Sequence, residues 1–353
     1  MTRVAVLPPF SSPISINLKT LLLLAAVWLS TAFEGFAQEQ SRETGIHWRA
    51  ELETNYGNML PHCTSPLLDF PHLTLSGELL LPDGWSIVAE LEHERFREDS
   101  QWINHFRKNT AVNKCWVGKA FSEQANLKAG VIDVPVGLVN SGHGGLTIYD
   151  PESEAALLPM TWHEEGIGFW GQHGAWRYEA SVLSQLVFPL KGARLLGGAA
   201  RIDCNPLNSL RVALSAYWGH TSSGMVCNDR EKCFSGHTLF VPSLDFCFTQ
   251  DGIICSGSVL YANTGNARSI GLECGYDLLC RHRKDNSSTE LIPFVRFDGI
   301  DNGCSPGCTL WTAGLNYTPC EPATFKAEIS RRNWSDGTWE QFFNIGICLS
   351  IGR

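Results

Sequence analysis

Charged side chains recur at every second position in several segments of this chain. Glu90, Glu92 and Glu94 form one such row, and Lys326 and Glu328 begin another. A spacing of two residues places these side chains on the same face of an extended strand. A row of fixed charges acts on nearby ions through Coulomb forces, without making or breaking a bond. The rows therefore predict an electrostatic surface that contacts ions or polar solutes.

The sequence lacks the motifs of common enzyme chemistries. The segment from His163 to Gly166 has no second histidine at the spacing of a zinc protease helix, and there is no P-loop, dinucleotide fingerprint or nucleophile elbow. Ser141 and His143 stand two residues apart in a glycine-rich segment, which favours an ordered loop. We therefore predict no catalytic residue, no metal site and no cofactor. A barrel hydrolase is the open alternative, because its Ser, His and orienting group need be close only in space.

The first 37 residues have the composition of a secretory signal. Arg3 and Lys19 precede an apolar run over residues 21–33, and small residues lead to Ala37. The run is shorter than the roughly 20 residues of a spanning helix, so a retained anchor is the less favoured interpretation. Removing residues 1–37 leaves 25 basic and 35 acidic side chains. This acidic balance argues against a nucleic-acid-binding protein.

The strands that position the charged rows follow from the alternation. Apolar and polar residues alternate from Trp48 to Tyr56, from Trp311 to Tyr317 and from Phe343 to Ile351, and Pro82-Asp83-Gly84 marks a tight turn between two such runs. Recurring segments of about nine to eleven residues suit a closed membrane barrel. Residues 38–353 are thus predicted to form one all-β domain, a transmembrane antiparallel β-barrel of about 16 strands, within a range of 14 to 18. A soluble β-sandwich remains the alternative.

One block of sequence resembles a known family. Its first part contains Pro135, Gly137, Asn140 and His143 in the order Pro-x-Gly-x-x-Asn-x-x-His. Its second part contains Pro151, and then Trp162, Glu164 and Gly166 in the order Pro-x-x-Trp-x-Glu-x-Gly, which begins at Pro159. The block is similar to that of Gram-negative outer-membrane porins of the phosphate-selective porin O/P-like superfamily. We predict that the block forms a hairpin or strand pair whose connection carries Asn140, His143 and Asp150.

The resemblance also implies a water-filled pore, so the charged rows become candidate pore-lining residues. Phosphate-selective members use ladders of basic side chains, whereas this chain has few, scattered lysines, so the resemblance supports the pore more strongly than it supports phosphate. Both signs are present, which predicts weak ion selectivity. The candidates are Arg49, Glu51, Glu53, Glu90, Glu92, Glu94, Lys128, Arg177, Glu179, Arg211, Arg296, Asp298, Lys326, Glu328 and Arg332.

Cysteine usage departs from that family. All 13 cysteines follow residue 37, in the exported part of the chain, where disulfides are permitted. Cys227 and Cys233 flank one polar segment and Cys304 and Cys308 flank another, so we predict two loop disulfides. The alternative interpretation is that several cysteines, among them Cys247, Cys274 and Cys348, are small, inert residues on strand faces. An odd count leaves at least one cysteine free or joined to another chain.

Three functions from different classes follow. The first is an outer-membrane pore for passive diffusion of small hydrophilic solutes or ions. The second is a structural envelope barrel joined to neighbours by disulfides, and the third is a secreted soluble β-sheet binding protein. For the first we expect export through the periplasm to the outer membrane of a Gram-negative-type cell. Its partners would be membrane lipid, solutes or ions, and further copies of the chain, with no nucleic acid.

Overall fold

The protein is represented by a computed structural model that describes residues 44–60, 66–98, 101–102, 110–142, 145–159, 161–184, 196–220, 238–281, 283, 288–301 and 306–352. Residues 1–37 lie outside the described residues, so the export signal stays a prediction.

Antiparallel strands dominate the described residues. They are β1 (Gly45–Leu60), β2 (Leu67–Leu80), β3 (Trp85–Glu98), β4 (Gln101–Trp102), β5 (Thr110–Ala120), β6 (Asn126–Asp133), β7 (His163–His173), β8 (Trp176–Ser184), β9 (Leu196–Leu207), β10 (Leu210–His220), β11 (Thr238–Gln250), β12 (Ile253–Ala262), β13 (Ala267–Tyr276), β14 (Glu290–Asp301), β15 (Cys308–Cys320), β16 (Ala323–Trp334) and β17 (Trp339–Gly352).

The strands form a closed ring. Each strand pairs with its neighbours in sequence, β3 pairs with β5, and the two-residue β4 only extends β3. The ring closes because β1 pairs with both β2 and β17, for example Glu51 with Thr74 and Tyr56 with Ile345. Without β4 the barrel has sixteen strands. The predicted transmembrane-type, all-antiparallel barrel of about sixteen strands is confirmed as a fold.

The two ends of the barrel differ in the length of their connections. Short turns lie at one end, such as the one-turn 3-10 helix Pro82–Gly84, where Asp83 has a φ of 57° and Gly84 a φ of 74°. The first described residues and the end of β17 lie at this same end, since β1 starts and β17 finishes there. The connection from β6 to β7 belongs to the opposite end and spans residues 134–162.

The two faces of the sheet have opposite polarity. Along β13 the buried residues Ser269 and Glu273 alternate with the exposed Ile270 and Leu272. The other strands continue this outer surface with exposed Leu, Ile, Val, Phe and Trp side chains. An apolar exterior around a polar interior is the pattern of a barrel that crosses hydrocarbon with its strands.

Helices are few in the described residues. They are α1 (Glu152–Ala155) and the single-turn 3-10 helices Pro82–Gly84 and Thr264–Asn266. Over the same described residues, none of the helices has the length and apolar character needed to cross a membrane.

A charge placed at mid-height on the outer face should destabilise the barrel. Leu244 lies at the middle of β11 with its side chain exposed, whereas Ile253 opens β12 beside a short turn. We expect Leu244→Arg to lower the unfolding free energy in lipid vesicles by about 2–4 kcal/mol, and Ile253→Arg by about 1 kcal/mol or less. Urea titration followed by tryptophan fluorescence measures both. Equal losses at the two positions would argue against a membrane around this face.

Candidate pore constriction

The described residues of the segment 134–162, here called the inner loop, fold into the barrel. Connecting segments usually run over the surface, because their backbone polar groups need water. Here Val134 and Val136 are completely buried, and Leu158 and Trp162 nearly so. Trp162 packs against Tyr217 of the barrel wall, with ring centroids 4.7 Å apart. The apolar residues of the inner loop therefore form a small core between the loop and the barrel wall.

Glu154 fastens the first half of the inner loop. It lies on α1, which starts after Pro151, and its side chain is completely buried. Its two carboxylate oxygens accept hydrogen bonds from the backbone N–H groups of Leu138 and Val139, at 2.9 and 3.0 Å. Burial raises the pKa of Glu154 although these donors act in the opposite direction. Each oxygen thus satisfies a backbone donor that would otherwise be unpaired inside the barrel.

Gly137 allows this close approach. Its φ is +84°, a conformation that favours glycine, and a Cβ there would come within 2.9 Å of Glu154 Oε2 and 2.7 Å of Leu158. The Gly137 N–H also donates to the Ser215 hydroxyl at 3.2 Å. A larger residue at 137 would have to displace α1.

Two buried arginines lie beneath the inner loop. Arg201 of β9 donates to Asp203 and Asp245 at 2.7–3.1 Å and to the Gly137 carbonyl at 2.9 Å. Arg296 of β14 donates to both oxygens of Asp298 at 2.8 Å. Each arginine side chain is only 3% exposed. Buried guanidinium groups require such paired carboxylates to offset their lost hydration.

Arg296 also reaches the loop itself. Its Nη2 lies 3.3 Å from the Ser153 hydroxyl, and its Nη1 lies 3.6 Å from Glu273. The Asp298 carboxylate in turn accepts the Ser153 N–H at 3.2 Å. The pair thus holds α1 against β13 and β14.

The middle of the inner loop is fixed by strands further around the ring. Leu146 N–H donates to Glu273 at 2.9 Å, and Ile148 N–H donates to Glu328 at 3.0 Å. Lys326 Nζ donates to the Thr147 carbonyl at 2.9 Å. With Arg332, which pairs with Glu152 and Glu340, these bonds tie the loop to the wall as far as β16 and β17.

The family-like block supplies the ends of this loop. Asn140 donates to the Pro159 carbonyl at 3.0 Å and accepts the Trp162 N–H at 2.9 Å, so one side chain joins the two halves. The Trp162 indole donates to Glu164 at 3.1 Å. Pro135 is buried just beyond β6, and Gly166 allows close approach of β8, since a Cβ would lie 2.6 Å from the Val182 carbonyl oxygen. His143 lies outside the described residues.

The predicted pore-lining residues belong to seven strands. All lie at the alternate strand positions that face the interior of the barrel, here called the inward phase. Whether they line a conducting path stays a prediction. They are Arg49, Glu51 and Glu53 on β1; Glu90, Glu92 and Glu94 on β3; Lys128 on β6; Arg177 and Glu179 on β8; Arg211 on β10; Arg296 and Asp298 on β14; and Lys326, Glu328 and Arg332 on β16.

Some of these residues are brought together and others are not. Lys128 pairs with Glu179 at 2.6 Å, and Arg49 pairs with Glu51 at 2.6 Å. Glu92 lies beside His72 on the neighbouring strand β2, at 2.6 Å. Arg177, by contrast, is exposed near the short-turn end, away from the inner loop.

One group of side chains has the spacing of a metal site. Ligand atoms of His72, Glu92 and Glu94 lie within 4.8 Å of one another. The His72 ring is, however, already bonded on both sides, to Glu92 through Nε2 and to Asp69 through Nδ1 at 3.2 Å. A metal would have to replace the proton between His72 and Glu92. The arrangement is therefore equally that of an imidazolium between two carboxylates.

A recess of about 280 Å³ remains beside the inner loop. Its lining includes Tyr149, Asp150 and Glu152 from the loop, and Arg332 and Asn344 from the wall. Asp150 is exposed within the barrel. Reduced hydration inside the barrel, together with the negative charges of Glu154, Glu92 and Glu53, raises the pKa of Asp150.

A shared spacing in the sequence marks the two buried arginine–aspartate pairs. Arg201-Ile-Asp203 and Arg296-Phe-Asp298 share the spacing Arg-x-Asp, which puts both charges on one strand face. Charged pairs that repeat on the inward face of separate strands indicate a segment packed over them. Glu154 had no comparable signal, since its role depends on how the loop folds back.

One pair of cysteines is bonded between strands. Cys255 and Cys274 stand opposite each other on β12 and β13 and form a disulfide, so the alternative of an inert thiol is wrong for Cys274. Cys227, Cys233 and Cys304 lie outside the described residues, and Cys308 opens β15, so both predicted loop disulfides stay predictions. Cys320 is a free, exposed thiol at the β15–β16 turn.

Comparison with known proteins identifies the class of fold. The anion-selective porin of Comamonas acidovorans superposes with a TM-score of 0.60 at 12% identity, over 88% of this chain and all of that one. OmpF of Salmonella typhi gives 0.59 at 12% identity over 87% and 97%. Outer-membrane OmpT of Vibrio cholerae gives 0.59 at 12% identity over 88% and 99%. The fold is that of an outer-membrane porin barrel.

Sequence comparison adds a distant relative. An uncharacterized protein of Aquifex aeolicus (strain VF5) is 28% identical over 351 aligned residues, covering 84% of this chain and 77% of the relative. No family model matches the chain.

Loss of one carboxylate oxygen should loosen the inner loop. In Glu154→Gln, one of the two backbone donors of Leu138 and Val139 faces an amide NH₂ group and loses its acceptor, at a cost of about 1–3 kcal/mol. We expect faster hydrogen exchange at these two amides and faster proteolysis of the loop. Glu123→Gln, in the exposed turn between β5 and β6, is the matched control.

The raised pKa adds a pH test to the same variant. The docked loop holds a proton on Glu154 more tightly than the undocked loop, so docking weakens as the pH rises from the ordinary Glu pKa through the raised one. The protection of the Leu138 and Val139 amides, relative to their intrinsic exchange rates, should fall over this pH range in the wild type and less steeply in Glu154→Gln. An identical pH trend in both proteins would show that the titration of Glu154 does not control docking of the loop.

Proposed function

We propose that the protein is an outer-membrane pore through which small hydrophilic solutes or ions diffuse passively. The observation that carries the proposal is the inner loop, which narrows a polar interior on one side and leaves a charged recess beside it. An exposed carboxylate such as Asp150 is expected inside a barrel that contains water. In a barrel with a dry, filled interior, a charge without a partner would be costly. The proposal involves no chemical step, so the protein is not taken to be an enzyme.

The path runs between the inner loop and the wall opposite. The loop is bonded to β9, β10 and β13–β16, so solutes would pass along its other edge. That edge presents Asp150, with Glu53 and Glu92 nearby. The predicted pore-lining residues of β1 and β3 would then contact the moving solute.

The location follows from the outer face and the connections. An apolar belt of exposed side chains requires lipid around the barrel. In bacterial outer-membrane barrels the short turns face the periplasm. We therefore place the short-turn end in the periplasm of a Gram-negative-type cell, reached after residues 1–37 act as the export signal.

Assembly into a homo-oligomer is part of the proposal. OmpT of Vibrio cholerae has been described in a trimer form. The exposed thiol of Cys320 would in addition allow a disulfide to a neighbouring chain. This thiol favours a structural, cross-linked envelope barrel as the second candidate function.

Phosphate selectivity is not included. The arginines and lysine that a phosphate would need are engaged, since Arg201, Arg296 and Lys128 each pair with carboxylates. We therefore take the resemblance to phosphate-selective porins as support for a pore, and we do not propose phosphate as its solute.

Conductance in a planar bilayer tests the proposal. Purified full-length protein should produce discrete current steps, and detergent alone should not. Glu154→Gln should give larger or noisier steps because its loop is less firmly docked, whereas Glu123→Gln should match the wild type. A folded barrel that inserts without conducting would overturn the pore and favour the structural alternative.

A further inference from the structure

We propose that the pore passes cations in preference to anions, and that Asp150 of the inner loop and Glu53 of β1 set this preference. The inference rests on the proposed pore and names the class of ion that it favours. It replaces the balanced lumen expected from counting charges in the sequence.

Docking of the inner loop removes basic charge from the lumen. Arg201 and Arg296 are covered by the loop, and each is held by two carboxylates within 3.6 Å. Arg211 lies within 3.6 Å of the same two aspartates as Arg201. These arginines contribute to the fold of the loop, and their fields are cancelled locally by adjacent negative charges.

The lysines near the loop are also engaged. Lys128 lies 2.6 Å from Glu179, and Lys114 lies between Glu90 and Asp133 at 3.4 and 3.5 Å. Lys326 is bonded to the Thr147 carbonyl and lies close to Glu328. None of these three presents an uncompensated positive charge to the recess.

The carboxylates around Asp150 outnumber the basic groups near them. Asp150 is exposed, and the charged groups near it include Glu154 on α1, Glu53 on β1, Glu92 on β3 and the imidazole of His72 on β2. Two positive groups lie nearby, and both are paired with carboxylates. His72 is shared by Asp69 and Glu92. Arg332, which lines the same recess as Asp150, is shared by Glu152 and Glu340. The surroundings of Asp150 are therefore net negative.

The exposed basic residues of the inward phase lie elsewhere. Arg49 is separated from Glu53 by four positions of β1, roughly 13 Å at the rise of an antiparallel strand. That distance exceeds the Debye length of about 8 Å at physiological salt. Arg49 is moreover paired with Glu51 at 2.6 Å. Arg177 lies at the start of β8, also at the short-turn end.

Opposed carboxylates across a narrow lumen concentrate cations. Protein walls of low dielectric focus the field of like charges into the water between them and raise the local concentration of counter-ions. The preference should be strongest at low salt, where screening is weak.

Reversal potential in a KCl gradient tests the inference. We expect wild-type channels at low salt to favour K⁺ over Cl⁻ by roughly tenfold, the lower end of the enrichment produced by like-charged clefts. Glu53→Gln with Asp150→Asn should bring this ratio close to one while single-channel steps persist. Asp150→Asn alone leaves every strand unaltered and should give an intermediate ratio, which keeps the test available if the double variant fails to fold.

The matched control removes two negative charges far from the inner loop. Glu123→Gln with Asp251→Asn changes two short turns at the other end of the barrel, and the ratio should stay that of the wild type. Channels that prefer Cl⁻, or that keep their ratio after Asp150 is changed, would overturn the inference. Absence of any current from folded wild-type protein would instead refute the proposed pore, so the two failures are distinguishable.

Discussion

A sheet surrounded by hydrocarbon cannot have a free edge. Every unpaired N–H or C=O group in the bilayer core costs several kcal/mol, so strands in lipid must pair all the way round. Pairing of β1 with both β2 and β17 meets this condition. Once the ring is closed, strand geometry assigns alternate residues to lipid and to the interior, and the polarity of each face follows.

Closure leaves an interior that the chain must itself organise. A ring of sixteen strands is too wide for inward side chains to fill, as larger barrels generally enclose channels. The inner loop occupies part of this space, and its backbone polar groups take partners from the wall, including Glu273, Asn316 and Glu328. Charges inside the barrel thus have two uses. Some hold the loop, and others, such as Asp150, remain exposed.

Much of the barrel could be predicted because its signal is local. Alternation along a strand specifies which residues face lipid, and chain length bounds the number of strands. A barrel of 14 to 18 strands, with Glu90, Glu92 and Glu94 facing inward, therefore followed from the sequence. The path of the inner loop could not, because it depends on contacts between residues far apart, such as Ile148 with Glu328. Counting charges by sign also failed to separate Arg296, which is buried against Asp298, from Asp150, which is exposed. The Cys255–Cys274 disulfide was missed for a similar reason. The sequence of neither strand alone determines which residues of β12 and β13 stand opposite each other.

Asn140 has a consequence for how such barrels can diversify. Its side chain bonds to the carbonyl of Pro159 and the amide of Trp162, so the two roots of the inner loop are joined to each other as well as to the wall. Closure of the loop is therefore achieved at its base. Each doubling of the length beyond a closed base costs only about 0.6 kcal/mol in chain entropy. The bore of the barrel can then be widened or narrowed by changing the length of the loop tip, while the sixteen strands and the base of the loop stay as they are.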